Sequence, residues 1–259
     1  MEGCFISDLI LREELKVALQ ELDMGIETLR FGIGMNLDDF DHQLEEAKEE
    51  MAWYGNPPLT IHGPFLDLNP MSFDSRIRQA TMDRFQQAYE AARELGARKI
   101  VYHTCRVPAT VFLQGWADRM VDFWNEFLEG KSGIGVCMEN VFDPEYTGIL
   151  EVAERIVHPD FGLCLDIGHA HCFSETPVLE WAKRLGSHIR HVHIHDNDGS
   201  RDAHWALGKG NIPLDQVLPA LHAANPAMTW TIECNSLEDI RSSGHYIQDF
   251  LKSEINGDK

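Results

Sequence analysis

The chain has 259 residues, 44% of them hydrophobic and 25% charged, which are the proportions of a packed globular protein and exclude disordered, collagen-like and membrane-embedded classes. With 42 acidic against 22 basic side chains the formal net charge is −20, a field that repels long nucleic acid unless a local basic strip overrides it. Six cysteines without a Cys-x-x-Cys pair, and a start (MEGCFISDLI) with neither a basic cluster nor a long apolar run, point to reduced thiols in a cytoplasmic protein that does not span a membrane.

Along the chain, short β-prone runs alternate with longer amphipathic stretches, the mark of βα units on a parallel sheet. Strands are predicted at residues 4–8, 27–33, 59–62, 99–103, 135–140, 162–166, 189–195 and 229–233. The predicted helices fall between them, at 12–21, 37–53, 75–95, 109–128, 147–157, 177–185, 214–223 and 237–251. Eight units, with no Gly-rich phosphate loop after the first strand, favour a closed (β/α)8 TIM barrel over an open doubly wound sheet. No linker, low-complexity tract or fixed repeat interrupts the series, so residues 1–259 are expected to form one α/β domain.

In such barrels the C-terminal strand ends and the loops after them build the active site. The third strand ends in His62 (TIHGPF), the fourth in His103 (IVYHTC), the fifth in Glu139 (GVCMENV), the sixth in Asp166 (LCLDIGH) and the eighth in Glu233 (WTIECN). The seventh carries His193 and His195 (HVHIHD). One strand-end histidine is ordinary, but imidazole or carboxylate at the same level on six consecutive strands points to a divalent cation. Mixed nitrogen and oxygen donors suit zinc, manganese, iron or cobalt better than calcium or magnesium. Buried together, Glu139, Asp166 and Glu233 would repel one another strongly without that cation.

Two loops extend the pattern, with His169 three residues after Asp166 and an Asp202-x-His204 pair after the seventh strand. Period-two geometry turns His191, His193 and His195 inward and Val192 and Ile194 toward the helices. His193 and His195 can then exchange as metal ligand and substrate contact, with His191 deeper. Cys137 and Cys164 share the strand parity of Glu139 and Asp166, so they are expected to fill the barrel below the site. Asn140 and Asn235 are candidates to orient the neighbouring carboxylates or to serve in turns.

In chain order, IHGPF, YHTC, MENV, LDIGHAH, HIHDND, SRDAHWALGKGNIP and IECNS resemble segments of the xylose isomerase-like barrels, a family of sugar isomerases, sugar epimerases and endonuclease IV-type enzymes. The likeness spans nearly the whole chain. It implies that His62, His103 and Glu139 hold one ion, Glu139, Asp166, His193 and Glu233 a second, and His169, Asp202 and His204 a third. The isomerase and epimerase relatives keep the second alone, so one to three ions, zinc or manganese, are implied. His193 is preferred as ligand because the family's histidine stands three residues before an Asp, as His193 does before Asp196.

Two chemistries fit this shell. In the first, a sugar, sugar phosphate or related hydroxy-carbonyl compound loses a proton beside its carbonyl to give an enediolate, with Glu139 and Glu233 as the acid/base pair. His195, Arg106, Arg201 and Lys209 would contact hydroxyls or a phosphate. In the second, several zinc ions assist hydrolysis of abasic DNA, as in the endonuclease IV group. The loops that would meet DNA, GMNLDDFDH and LDLNPMSFDS, are acidic, so a small carbohydrate is the expected partner and nucleic acid is not. A non-catalytic metal- or ligand-binding barrel is a third class, and oligomeric state is not legible.

Overall fold

The computed structural model describes residues 3–108, 112 and 114–257. Its eight parallel strands close into a barrel in chain order: β1 (Cys4–Ser7), β2 (Gly25–Thr28), β3 (Leu59–His62), β4 (Lys99–His103), β5 (Gly135–Glu139), β6 (Phe161–Asp166), β7 (Ile189–Ile194) and β8 (Thr229–Ile232). Around them run α1 (Arg12–Leu22), α2 (Gly34–Asp38), α3 (Phe40–Tyr54), α4 (Ser75–Glu94), α5 (Trp116–Leu128), α6 (Thr147–Arg155), α7 (Ile167–Phe173), α8 (Val178–Leu185), α9 (Leu214–Ala224) and α10 (Leu237–Gly257).

The pleat divides each strand between two cores. Outward side chains such as Val192 and Ile194 pack with the helices, whereas Val101, Cys137 and Cys164 form a separate small cluster inside the barrel. Cys137 and Cys164 thus fill the interior as their parity predicts, and all six cysteines are free thiols. Between β4 and α4, Tyr102 stacks on Phe85 with ring centroids 4.2 Å apart, and burying each such ring contributes roughly 2–3 kcal/mol. Strand register then sets the level of the inward donors: His103 pairs with Glu139, and Asp166 with His193.

Three predicted elements differ clearly from the observed ones, and one observed helix was not predicted. The second strand starts at Gly25 and stops at Thr28, because the chain then turns through a 3₁₀ segment at Arg30–Gly32. Gly25 is required there: a Cβ would lie 2.5 Å from the Pro58 carbonyl oxygen and 2.6 Å from the Phe5 ring. The helix predicted at 37–53 is split at Asp39 into α2 and α3. That predicted at 109–128 begins only at Trp116, after Gly115 at φ 66°; residues 109–111 and 113 lie outside the described residues. An unpredicted short helix, α7, follows β6 directly, with Asp166 as its N-cap.

Candidate metal centre

At the C-terminal end of the barrel the nine side chains singled out on the third to eighth strands and their loops come together. Glu139 is central: its Oε2 lies 3.5 Å from His62 Nε2 and 3.4 Å from His103 Nε2, and its Oε1 lies 3.4 Å from His169 Nδ1 and 3.2 Å from His193 Nδ1. His193 Nδ1 is also 3.3 Å from Glu233 Oε1 and 3.9 Å from Asp166 Oδ2. On the outer side Asp202 Oδ2 stands between His169 Nε2 at 3.3 Å and His204 Nε2 at 3.0 Å. Ligand atoms of His62, His103 and Glu139 lie within 4.8 Å of one another, as do those of Glu139, Asp166 and His193.

Local structure explains the placing of several of these groups. As N-cap of α7, Asp166 accepts from the His169 N–H at 2.6 Å, which is why Asp-x-x-His spacing brings both side chains to one point. Asn140 clasps Asp166 through its backbone, Nδ2 donating to the Asp166 carbonyl at 3.0 Å and Oδ1 accepting from its N–H at 2.9 Å. It therefore orients Asp166 and not its neighbour Glu139. Gly168 leaves room for His195, since a Cβ there would fall 1.9 Å from the imidazole. His204 holds a left-handed φ of 49°, a conformation uncommon for a side-chain-bearing residue.

The tautomers of three histidines follow from backbone contacts. His62 Nδ1 lies 2.9 Å from the Gly63 carbonyl, His169 Nδ1 3.1 Å from that of Asn140, and His204 Nδ1 2.9 Å from that of Glu233. A carbonyl can only accept, so each neutral ring carries its hydrogen on Nδ1 and turns the Nε2 lone pair toward a carboxylate. Lone pair then faces lone pair, an arrangement that needs a cation or extra protons between them.

Buried Glu139 Oε2, Asp166 Oδ2 and both nitrogens of His195 have no hydrogen-bond partner, which fits a site built to hold cations. Protonation is the alternative. Burial works against charged rings here, yet the surrounding acids hold His169 and His193 well above the usual histidine range and bring His204 to about 9. Burial wins at His103, pushed down to about 3. It also raises Glu233, whereas at Glu139 it is overcome by His193 and His103, which hold that carboxyl well below its ordinary value.

The substrate-contact candidates are placed differently from one another. His195 is fully buried, its Nε2 3.2 Å from Asp166 Oδ1 and 3.5 Å from Asp202 Oδ1, and its ring stacked on His204 at 4.1 Å. Arg106 lines a 590 Å³ cavity that opens beside His103, His169 and Asp202, and its guanidinium lies 3.7 Å from Asp143. Arg201 is exposed, and the exposed Lys209 is paired with Asp239. Glu27, absent from the predicted site, lies inside the barrel 2.9 Å from His193 Nε2. It shares no local motif with the histidine it meets, so no sequence spacing could have flagged it.

A family model described as a xylose isomerase-like TIM barrel matches residues 19–250. The chain is 30% identical over 207 residues to the uncharacterized protein MJ1311 of Methanocaldococcus jannaschii, covering 75% of this chain and 70% of that one. It is 28% identical over 214 residues to the probable endonuclease 4 of Mycobacterium leprae, covering 77% and 80%. Among solved structures it is similar to a D-tagatose 3-epimerase-like protein, with TM-score 0.75, 24% identity, and 98% and 99% of the two chains covered. It is also similar to the IOLI protein with a binding zinc atom, with TM-score 0.75, 18% identity, and 97% and 98% covered.

Proposed function

The chain belongs to the xylose isomerase-like TIM barrel family, and from that premise we propose that it is a divalent-metal-dependent isomerase or epimerase of a sugar or related hydroxy-carbonyl compound. The observation that carries this reading is the convergence of Glu139, Asp166, His193 and Glu233 around one point, with buried carboxylate oxygens left unpaired. Zinc or manganese bound there would polarise a substrate carbonyl and stabilise the charge that develops when the neighbouring carbon loses its proton.

Glu139 and Glu233 approach His193 Nδ1 at 3.2 and 3.3 Å, and burial raises Glu233 while the histidines hold Glu139 low. The two carboxyls are thus pushed in opposite directions, the kind of separation that an acid/base pair uses. His195 stands beside Asp166 and Asp202 without hydrogen-bonding either, and Arg106 is the group in reach of a substrate hydroxyl. Substrate enters through the 590 Å³ cavity, whose walls include Phe65, Leu68, Val141 and Phe142 and which, among the described residues, carries no Lys and no Arg but Arg106. That lining fits a small neutral molecule. The sugar-enzyme names among the similar structures agree with it.

The convergence of His169, Asp202 and His204 favours a second reading, a multi-zinc phosphodiesterase of the endonuclease IV type. Metal analysis with a ketose panel and an abasic-site duplex separates the two. Interconversion of a ketose with at least one zinc or manganese per chain is expected. Cleavage of the duplex without turnover of any ketose would replace the first reading by the second.

A further inference from the structure

Four charged or hydroxyl groups below the candidate centre belong to no step above. Glu27, in the middle of β2, is fully buried. Its Oε2 accepts from Thr231 Oγ1 at 2.7 Å and lies 3.0 Å from His191 Nε2, while its Oε1 is 2.9 Å from His193 Nε2. The last pair is close without making a hydrogen bond, and neither Glu27 Oε1 nor His193 Nε2 has a hydrogen-bond partner.

The Lys99 ammonium can only donate, and it does so to Thr229 Oγ1 at 2.6 Å. Thr229 Oγ1 also lies 2.6 Å from His191 Nδ1 and 3.5 Å from the Arg190 carbonyl. The Glu27 carboxylate can only accept, from Thr231 and from a neutral His191 that carries its hydrogen on Nε2. The His193 nitrogen that faces it must be the one bearing hydrogen, so the opposite nitrogen, Nδ1, is the free lone pair. That atom is the one set among Glu139, Glu233 and Asp166.

We propose that Glu27 is the positioning residue of the centre: it fixes the His193 tautomer from inside the barrel and so makes Nδ1 the atom that binds the metal. The inference rests on the metal reading and adds to it the choice of nitrogen and the residue that makes the choice. His193 is then the reverse of His62, His169 and His204, which park Nδ1 on backbone carbonyls and offer Nε2. A carboxylate behind a ligating histidine raises the basicity of the ring and removes its freedom to rotate or change tautomer, and loss of such partners costs about 10–100-fold in metal affinity.

The test compares full-length wild type, Glu27→Gln and Thr229→Val. Zinc affinity is measured by chelator competition, unfolding of the metal-free proteins by heat, and the imidazole tautomers of the zinc-loaded proteins by nitrogen-15 NMR. In wild type, His193 is expected to carry its hydrogen on Nε2 and to bind zinc through Nδ1. Glu27→Gln, which can turn an amide N–H toward His193, is expected to weaken zinc binding by at least 10-fold, and Thr229→Val by less. Equal affinity in wild type and Glu27→Gln, with only the metal-free stability lowered, would reduce Glu27 to a packing role and overturn the proposal. Zinc on Nε2 of wild-type His193 overturns it even where Glu27→Gln does not fold. A wild type that binds neither zinc nor manganese removes the metal reading itself, a failure distinct from these.

Discussion

At the scale of single residues, the site was legible wherever an ionisable group ended a parallel strand. His62, His103, Glu139 and Asp166 are the last residues of β3, β4, β5 and β6, and Glu233 directly follows β8, so position in the repeat announced them without any knowledge of the fold. Glu27 was not legible because its meaning lies in contacts 164 residues away in sequence, with His191. If Glu139 and Glu233 are the acid/base pair, Glu139→Gln and Glu233→Gln should each lower turnover by roughly 10²–10⁴-fold. Metal content of the Glu233→Gln protein, measured in parallel, tells chemistry from scaffolding: loss of turnover with metal retained is the expected outcome. Gly168 makes a second residue-scale prediction. Because a methyl group there overlaps the His195 ring, Gly168→Ala must displace α7 or His195 and should cost about 1–3 kcal/mol in chemical denaturation, with a fall in metal affinity because Asp166 and His169 sit on either side.

At the scale of elements, strand interiors were easier to place than their borders. β2 was misread because its first residue is a glycine chosen for close approach to β1 and the Pro58 carbonyl, and a glycine gives no strand signal. α7 was missed because it is seven residues long and capped by a candidate ligand, leaving too few turns for a periodic pattern. The segment between β7 and α9 carries Asp202 and His204 without regular structure, and buried Asp196 orders it. Its carboxylate accepts from the backbone N–H groups of Asn197, Gly208, Gly210 and Ile212, at 2.9, 2.9, 3.0 and 3.3 Å. In the family likeness Asp196 served to single out His193 as ligand, and its observed contacts are to this loop. Asp196→Ala leaves those donors without their charged acceptor and should destabilise the protein by about 3 kcal/mol. Limited proteolysis should then cut within residues 198–210, where the wild type resists. A cut elsewhere, or none, would mean the loop is held by its other contacts, such as the Asp196–Trp205 backbone pair.

For the whole molecule, closure of the barrel was legible by counting units, and charge bears on the choice of substrate. No helix among the described residues is long and apolar enough to cross a membrane. At net charge −20, with Arg106 beside Asp143 and Lys209 paired with Asp239, neutralising phosphates at the mouth would fall to very few groups. If the proposed metal binds, the same excess of acid ties the stability of the fold to it. Glu139, Asp166 and Glu233 are buried within one cluster, and without a cation their mutual repulsion is relieved by protons on nearby histidines or on a carboxyl such as Glu233. An ion that binds the folded chain and not the unfolded one stabilises by about 4 kcal/mol when present at a thousand times its dissociation constant. For a chain of this size that corresponds to a midpoint shift of roughly 10 °C. Exhaustive chelation should therefore lower the thermal midpoint by about that much, and zinc or manganese should restore it where magnesium does not, since imidazole donors suit the first two. Restoration by magnesium as well would point to an oxygen-only site and detach His193 from the shell. An unchanged midpoint would mean that the three acids are neutralised by protons from within the barrel and that the cluster stores no metal.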